Sequence, residues 1–299
     1  MSFFVILIYI GGIMENIKLN NGIEIPSIGL GTWLIDNDKV ANVVCDAISS
    51  GYRHIDTAQA YENEEGVGIG TRNCGVPREE LFITTKIRAE YKDYESAKKS
   101  VEESLKKMGL DYLDLVIIHA PQPWMEFRET DNNYFKENND VWRALEDLYI
   151  DGKVKAIGVS NFHDYDLQNI LDNCRIKPMI NQVLSHVGQT PFDIINFCKK
   201  NEIVVEAYSP IAHGEANRIN EVVKIAEKYK KSFAQICLKY QLQLGCVVLP
   251  KASSMEHLKN NFDLDFEISD EDMYILNNVE PLDNYGEHDF FPVFKHSGE

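Results

Sequence analysis

The feature that most restricts the fold of this sequence is a rhythm of eight short apolar runs separated by longer amphipathic stretches. Such runs are typical of strands buried on both faces of a parallel sheet. The stretches between them, such as 96–109 and 141–152, repeat apolar residues at helical spacing and close on a glycine, a common helix terminator. The runs are 27–33, 53–58, 81–86, 113–120, 154–161, 178–182, 203–209 and 246–251.

Eight strand–helix units in a chain of 299 residues predict an α/β fold, the (β/α)8 TIM barrel. A doubly wound parallel sheet is the alternative. Residues 18–26 place two short alternating runs around Asn21-Gly22, a strong signal for a β-hairpin. We therefore expect an N-terminal hairpin in front of the barrel.

The composition excludes several classes of protein. A net charge of −17 argues against a nucleic-acid partner, although a small phosphate could still meet a local basic site. The six cysteines, at 45, 74, 174, 198, 237 and 246, form no Cys-x-x-Cys pair, so we expect reduced thiols, with neither a disulfide framework nor a metal site.

The first residues stand apart from this pattern. Residues 3–10 are apolar throughout, but no basic residue precedes them, and they are too few to span a membrane. Met14 then opens a stretch typical of a soluble domain. We expect 1–13 to be extraneous or disordered, 14–299 to form a single barrel domain, and the protein to be cytoplasmic. A weak anchor to a membrane or partner is the alternative for 1–13.

Two glycine-rich stretches imitate nucleotide-binding motifs. Residues 66–70, "GVGIG", follow no strand and lack the full Gly-x-Gly-x-x-Gly spacing. Residues 29–33, "GLGTW", end a strand but open no phosphate-binding helix. We interpret the glycines of this second stretch as positions of close packing in the first barrel strand.

Nearly every run ends in a polar or aromatic side chain. In barrel enzymes the carboxyl ends of the strands converge on one face, and that face carries the catalytic groups. The sequence therefore predicts a single site at the barrel mouth. The end residues are Trp33, Asp56, Lys86, His119, Asn161, Gln182, Tyr208 and Lys251.

Three of these end residues, Asp56, Lys86 and His119, make chemical sense together with Tyr61. Tyr61 follows Asp56 by five residues, which a strand-to-loop turn can bring back over the mouth. A nearby ammonium on Lys86 is expected to lower the pKa of the Tyr61 phenol, and the Asp56 carboxylate offsets the burial of that lysine. His119 can orient a carbonyl oxygen. The set predicts general acid catalysis at a developing alkoxide, with the hydride supplied from elsewhere.

Each of the four also has an ordinary structural explanation. Asp56 and Lys86 could form only a salt bridge, His119 could be a core histidine, and Tyr61 an aromatic on a helix face. Their joint appearance at one face favours an active site over four coincidences.

The sequence resembles the aldo-keto reductases, nicotinamide-dependent carbonyl reductases built on a (β/α)8 barrel. The resemblance runs from about Met14 to Phe290, through "GLGTW", "GYRHIDTAQAYENEE", "LFITTK", "LDLVIIHAPQPW", "GKVKAIGVSNF", "INQV", "EAYSPI" and "LPKASSMEHLKNNF". It implies a catalytic tetrad of Asp56, Tyr61, Lys86 and His119. It also implies a bound NADPH, or NADH, whose contacts would be Thr32, Ser160, Asn161, Gln182, Tyr208, Ser209, Ile211, Lys251 and Asn261.

The resemblance also assigns the residues expected around the substrate. Trp33 and Trp124, with His119, are expected to line the substrate pocket, whereas Trp142 is expected in the core. Ala120 replaces the tryptophan common in the family after the histidine and is expected to reshape the pocket wall. The polar stretch 125–140 is expected to be a specificity loop, and the tail 280–299 to reach back over the pocket; a poorly held terminus is the alternative for the tail.

Cofactor choice is expected to depend on the cations near the adenosine ribose. Lys251 can meet the extra phosphate of NADPH as a point charge, while Ser253 and His257 stand near it in sequence. Ser253 and Ser254 can alternatively cap the next helix. Strongly NADPH-selective relatives carry an arginine at the position of His257. We therefore expect a moderate NADPH preference, stronger below pH about 6.5, where a histidine gains charge.

The sequence-based interpretation is thus a cytoplasmic oxidoreductase, of the alcohol dehydrogenase or carbonyl reductase type, that transfers a hydride from NADPH to an aldehyde or ketone. It is expected to be a monomer or weak dimer. A non-catalytic nucleotide-binding barrel with a regulatory role is the main alternative, and the intact tetrad speaks against it. A barrel hydrolase would need a cluster of His and carboxylate ligands that the strand ends lack.

Overall fold

The computed structural model describes residues 16–282 and 284–295, and the first-segment prediction for 1–13 lies outside them. Eight parallel strands follow each other in chain order in one sheet. They are β3 (Gly29–Gly31), β4 (His54–Asp56), β5 (Phe82–Ile87), β6 (Leu113–Ile118), β7 (Val154–Ser160), β8 (Ile180–Leu184), β9 (Val204–Tyr208) and β10 (Val247–Leu249).

The sheet closes on itself between its first and last strands. Ile28 and Val248 form a parallel bridge, the Val248 amide donates to the Ser27 carbonyl at 2.9 Å, and the Gly31 amide donates to the Pro250 carbonyl at 3.0 Å. The predicted (β/α)8 barrel is therefore confirmed, and the doubly wound alternative is wrong.

Helices cover the outside of the barrel. Apolar side chains on their inner faces pack on the strands to form the main core, which includes the fully buried Trp142, as predicted. The helices are α1 (Asn37–Ser49), α2 (Glu64–Asn73), α3 (Tyr94–Met108), α4 (Phe135–Ile150), α5 (Asp164–Asn173), α6 (Phe192–Lys200), α7 (Asn220–Tyr229), α8 (Phe233–Gln243), α9 (Met255–Phe262), α10 (Asp270–Asn277) and α11 (Pro292–Lys295). None of those described is long and apolar enough to cross a membrane.

The predicted hairpin is present and seals the amino-terminal end of the barrel. Strands β1 (Asn16–Lys18) and β2 (Glu24–Pro26) pair antiparallel, and Gly22 takes the positive φ of +89° that the turn requires. The Asn20 amide donates to the carbonyls of Pro178 and Glu202, at 2.8 and 3.2 Å, and the Asn21 amide donates to Lys155 O at 3.0 Å. These bonds tie the hairpin to the starts of three barrel strands.

Both glycine-rich stretches serve packing, as their sequence context indicates. A Cβ on Gly29 would lie 2.6 Å from Nδ1 of His54, so this strand position admits no larger residue without movement. Gly66 and Gly68 lie on α2, where a Cβ would approach the Asn37 and Met108 carbonyl oxygens to 2.3 and 2.2 Å. The "GVGIG" stretch therefore lets α2 pack closely on its neighbours.

One sequence prediction needs correction at its end, whereas another holds for the described residues. Helix α4 begins at Phe135, six residues before the predicted start, so the polar stretch 125–140 is a loop only as far as Tyr134. The tail prediction is confirmed for the described part, because Tyr285 and Phe294 are buried in a second cluster beside the barrel mouth, with Phe291 packed against it.

Candidate active site

The carboxyl ends of three neighbouring strands bring the predicted tetrad together. Asp56 ends β4, Lys86 lies near the end of β5, and His119 directly follows β6. After β4 the chain makes a 3-10 turn, Gln59–Tyr61, which places the Tyr61 phenol beside the other three. The five-residue offset between Asp56 and Tyr61 is thus bridged by a turn, as predicted.

Lys86 is the centre of this cluster. Its fully buried Nζ donates to Asp56 Oδ1 at 2.5 Å, to Thr57 O at 2.9 Å and to the Tyr61 hydroxyl at 3.2 Å. Burial opposes the charge, but Asp56 and Tyr61 together raise the pKa of Lys86 above its usual value. The ammonium is therefore charged at neutral pH and points at the phenol oxygen.

The predicted lowering of the Tyr61 pKa is wrong. Burial raises the pKa of Tyr61, and the nearby Lys86 ammonium opposes that shift without overcoming it. The physical reason is that burial removes the water that would stabilise a phenolate. The attraction of one ammonium is weaker than this loss. Tyr61 therefore keeps its proton at neutral pH, as a proton donor must.

His119 is neutral. Burial, followed by the charges of Lys86 and Arg88, holds its pKa well below the usual value. The edge of its ring meets Trp124 at a centroid distance of 5.1 Å and Tyr61 at 5.7 Å. A neutral imidazole in this position can hydrogen-bond a carbonyl oxygen but cannot act as a cation.

The expected effect of Ala120 on the pocket wall stays a prediction. Ala120 is fully buried and does not itself line the cavity at the mouth. Trp124, four residues further on, stands over the His119 ring instead. The loop after β6 thus supplies an indole from a different sequence position.

The tetrad opens into a cavity of about 500 Å³. Asp56, Tyr61 and His119 lie on its wall, together with the two predicted pocket residues, Trp33 and Trp124. The wall also contains seven of the nucleotide contacts that the resemblance implies. These are Ser160, Asn161, Gln182, Tyr208, Ser209, Ile211 and Lys251.

The arrangement at one end of this cavity fits a nicotinamide. Tyr208 donates its hydroxyl to Asn161 Oδ1 at 2.7 Å, which fixes the aromatic ring, while Asn161 Nδ2 donates to His119 O at 3.0 Å. Asn161 adopts a left-handed backbone conformation with φ of 60°. Amides and a hydroxyl for a carboxamide, beside a ring for stacking, are the donor set that a nicotinamide needs.

The other end is the one expected to meet the adenosine phosphate. Its lining includes Lys251, Ser253 and His257. Lys251 Nζ also donates a hydrogen bond to the Leu34 carbonyl at 3.3 Å. Ser254 caps α9 by accepting from the His257 amide, so the capping role falls to Ser254 and leaves Ser253 on the cavity wall.

Two predicted cofactor residues lie behind the wall. Thr32 is fully buried, and its hydroxyl donates to the Asp56 carbonyl at 2.9 Å; its neighbours Gly31 and Trp33 line the cavity instead. Asn261, also buried, hydrogen-bonds the Tyr52 phenol. For each of the two, a residue within four positions in the sequence lines the cavity, but neither of these side chains reaches the cavity surface.

Several residues of the wall were not assigned to the site from the sequence, although Phe291 belongs to the tail that was expected to reach over the pocket. His213 and His288 stack with their ring centroids 4.0 Å apart, and Trp33 packs against both. Phe291 contacts both pocket tryptophans, at 5.4 Å from Trp33 and 4.8 Å from Trp124. For His288 and Phe291 the signal in the sequence was the aromatic tail. The place where that tail docks depends on tertiary structure, so the sequence does not show it.

A second cavity, of about 970 Å³, lies on the other side of Asn161. It is lined mainly by the loop that carries Arg128 and by the segment before α6, and none of the tetrad residues reaches it. Size alone would therefore select the wrong cavity, whereas the clustered titratable groups select the smaller one.

Comparison with known proteins agrees with this geometry. The Aldo/keto reductase family model matches residues 27–281. Glyoxal reductase of Bacillus subtilis is 44% identical over 87% of this chain and 90% of its own length. The 9,11-endoperoxide prostaglandin H2 reductase of Trypanosoma cruzi is 40% identical over 86% of this chain and 88% of its own length.

Among solved structures, an aldo-keto reductase of Bombyx mori in complex with NADP superposes with a TM-score of 0.81 at 31% identity. The match covers 94% of this chain and 98% of that one. The extent of these matches, together with the barrel and its mouth, shows that this chain belongs to the aldo/keto reductase family, whose chemistry is the NADPH-dependent reduction of aldehydes and ketones.

Proposed function

We propose that Tyr61 is the proton donor of the carbonyl reduction and that Asp56, Lys86 and His119 support it. The observation that carries this assignment is the position of Lys86 Nζ, which bonds both the Asp56 carboxylate and the Tyr61 hydroxyl. Ser160, Asn161 and Gln182 hold the nicotinamide carboxamide, and Tyr208 stacks on the ring.

Bound NADPH supplies the hydride. As the carbonyl oxygen gains charge, Tyr61 donates its proton to that oxygen, and the Lys86 ammonium stabilises the phenolate that remains. The neutral His119 ring hydrogen-bonds the carbonyl oxygen and orients it toward Tyr61. Asp56 keeps Lys86 charged and in place. The aromatic wall of Trp33, Trp124 and Phe291 excludes water from this end of the cavity.

We also propose that the substrates are small, reactive dicarbonyl aldehydes of the glyoxal type. The pocket argues for small size, because Phe291 packs against both Trp33 and Trp124 on the wall of the cavity that His119 also lines. Phe294 lies behind it, 6.1 Å away between ring centroids. The glyoxal reductase of B. subtilis supports the same substrate class.

The test is the loss of near-ultraviolet absorbance of NADPH with a panel of carbonyls. We expect kcat/KM for glyoxal and methylglyoxal to exceed that for a bulky ketone by about tenfold or more, since tenfold corresponds to about 1.4 kcal/mol of differential binding. Phe291→Ala should reduce this ratio of kcat/KM values, because it enlarges the pocket. Phe290→Ala removes an exposed neighbouring ring and should leave the ratio unchanged. A wild-type preference for the bulky ketone contradicts the substrate class, and no turnover of any carbonyl favours the non-catalytic barrel.

For the cofactor, we propose a moderate preference for NADPH over NADH. Lys251, Ser253 and His257 line the same end of the cavity, but so does Glu287, whose negative charge acts on Lys251. We expect His257→Arg to strengthen the preference by up to about tenfold, because a guanidinium binds phosphate through two parallel bonds. The measurement is KM for both cofactors at one pH unit on either side of neutrality. An NADH preference at both pH values would show that Lys251 does not bind the phosphate.

A further inference from the structure

Glu206 is a carboxyl group inside the barrel that the reaction described above does not use. It lies on β9, opposite Gln182 of β8, and is fully buried. Its Oε2 accepts a hydrogen bond from Gln182 Nε2 at 2.9 Å, whereas its Oε1 has no hydrogen-bond partner and lies 3.8 Å from Nε2 of His54. A buried carboxyl with one hydrogen bond is costly, so a function for it is worth seeking.

Four groups face Glu206, and together with burial they decide its protonation state. They are His54 and Asp56 on β4, Lys86 on β5 and Gln182 on β8. Burial, and then the negative charge of Asp56, raise the pKa of Glu206 to about 8, with Gln182 and Lys86 opposing. Burial also lowers the pKa of His54 to about 3, so that ring is uncharged. At neutral pH most Glu206 is therefore protonated, and its Oε2 accepts from Gln182.

The contact with Gln182 has a consequence at the cofactor cavity. Gln182 Nε2 has two hydrogens, and both are taken: one by Asp56 Oδ2 at 3.0 Å, the other by Glu206 Oε2. The amide oxygen of Gln182 is then the group left for the cavity that this residue lines. If one acceptor were lost, the amide could turn and offer a donor instead.

We propose that Glu206 is a positioning residue for the cofactor. Glu206 and Asp56 both accept hydrogen bonds from the amide nitrogen of Gln182. The amide oxygen is thereby kept turned toward the carboxamide NH2 of the nicotinamide. This inference rests on the proposed role of Gln182 in binding that carboxamide, and it assigns to Glu206 no contact with substrate or cofactor.

The test uses the full-length chain and measures the Kd for NADPH by fluorescence at neutral pH. Glu206→Met keeps the length of the side chain but removes the acceptor, and we expect Kd to rise about three- to tenfold, the range for one lost hydrogen bond. Glu206→Gln resembles the protonated carboxyl and still offers an oxygen, so its Kd should stay within about twofold of wild type. Val205→Ala, on the opposite face of β9, should lower the melting temperature and leave Kd unchanged.

A structural role alone would give a different pattern. An unchanged Kd in Glu206→Met, or equal weakening in the Met and Gln variants, overturns the proposal. In a Gln182→Leu background, adding Glu206→Met should change Kd by less than about twofold, because the two residues act through one contact. Replacing a buried carboxyl that lacks a cation partner by an apolar side chain is compatible with folding. If Glu206→Met does not fold, Glu206→Thr is measured in its place, because its side chain is too short to reach Gln182. The same outcomes then apply.

The result is separable from the proposed function. If wild-type enzyme fails to reduce glyoxal with NADPH, the substrate class is at fault, and the Kd comparison still stands. If wild type is active and Glu206→Met binds NADPH normally, only the positioning role is contradicted.

Discussion

Replacing Tyr61 by phenylalanine should lower kcat for carbonyl reduction by about 10²–10⁴-fold or more, the usual contribution of a positioned general acid. The ring remains, so its contact with the His119 ring and its burial should persist. Only the hydroxyl that Lys86 contacts at 3.2 Å is removed. NADPH binding should be nearly unaffected, because Tyr61 is assigned to the substrate oxygen and not to the cofactor.

Steady-state kinetics with glyoxal and fluorescence titration with NADPH measure the two halves of this prediction. Tyr274→Phe is a suitable control, since it makes the same chemical change at an exposed tyrosine on α10. A Tyr61→Phe enzyme with near-normal kcat would remove Tyr61 from the reaction. Equal losses in kcat and in NADPH affinity would instead indicate a collapsed pocket.

The second large effect is expected from Lys86→Met, and it concerns stability as well as catalysis. The change deletes the cationic partner of a fully buried pair and leaves the Asp56 carboxyl without it. Breaking such a pair on one side costs about 3–5 kcal/mol. Activity should fall together with stability, because the phenolate formed on Tyr61 loses its neighbouring charge.

Urea unfolding measures the stability term, and a double variant separates it from the chemistry. Asp56→Leu combined with Lys86→Met removes both charges, so it should recover much of the lost free energy of unfolding while remaining inactive. A Lys86→Met protein as stable as wild type would show that the pair is not an ion pair in solution. An active double variant would show that the reaction does not need it.

The sequence was informative about the mouth of the barrel for a geometric reason. In a parallel barrel all strands end on one face, so the last polar residue of each run, such as Asp56 or Lys86, can be assigned to that face without knowing any loop. The same logic places Asn161 and Gln182 correctly. Thr32 is misassigned because a residue directly after a strand can turn inward as easily as outward.

The remaining differences depend on tertiary contacts that have no local pattern. The pKa of Tyr61 depends on how much water the neighbouring loops exclude, and a sequence does not show this. Ala120 lies behind the cavity wall while Trp124 stands beside the His119 ring, and both positions depend on how the loop after β6 folds. Glu206 escapes notice because, in the run 203–209, it has the appearance of one polar residue in an ordinary strand.

The closing hairpin has a practical consequence for handling the enzyme. Asn20 and Asn21 hold this hairpin on the floor of the barrel, while the aromatic segment around Phe291 and Phe294 lies over its mouth. The two ends of the described chain therefore emerge at opposite poles. Attachment to a solid support through a side chain of the hairpin leaves the entrance facing solution, whereas attachment through α11 turns it toward the support. Immobilised preparations should accordingly differ in turnover with the point of attachment.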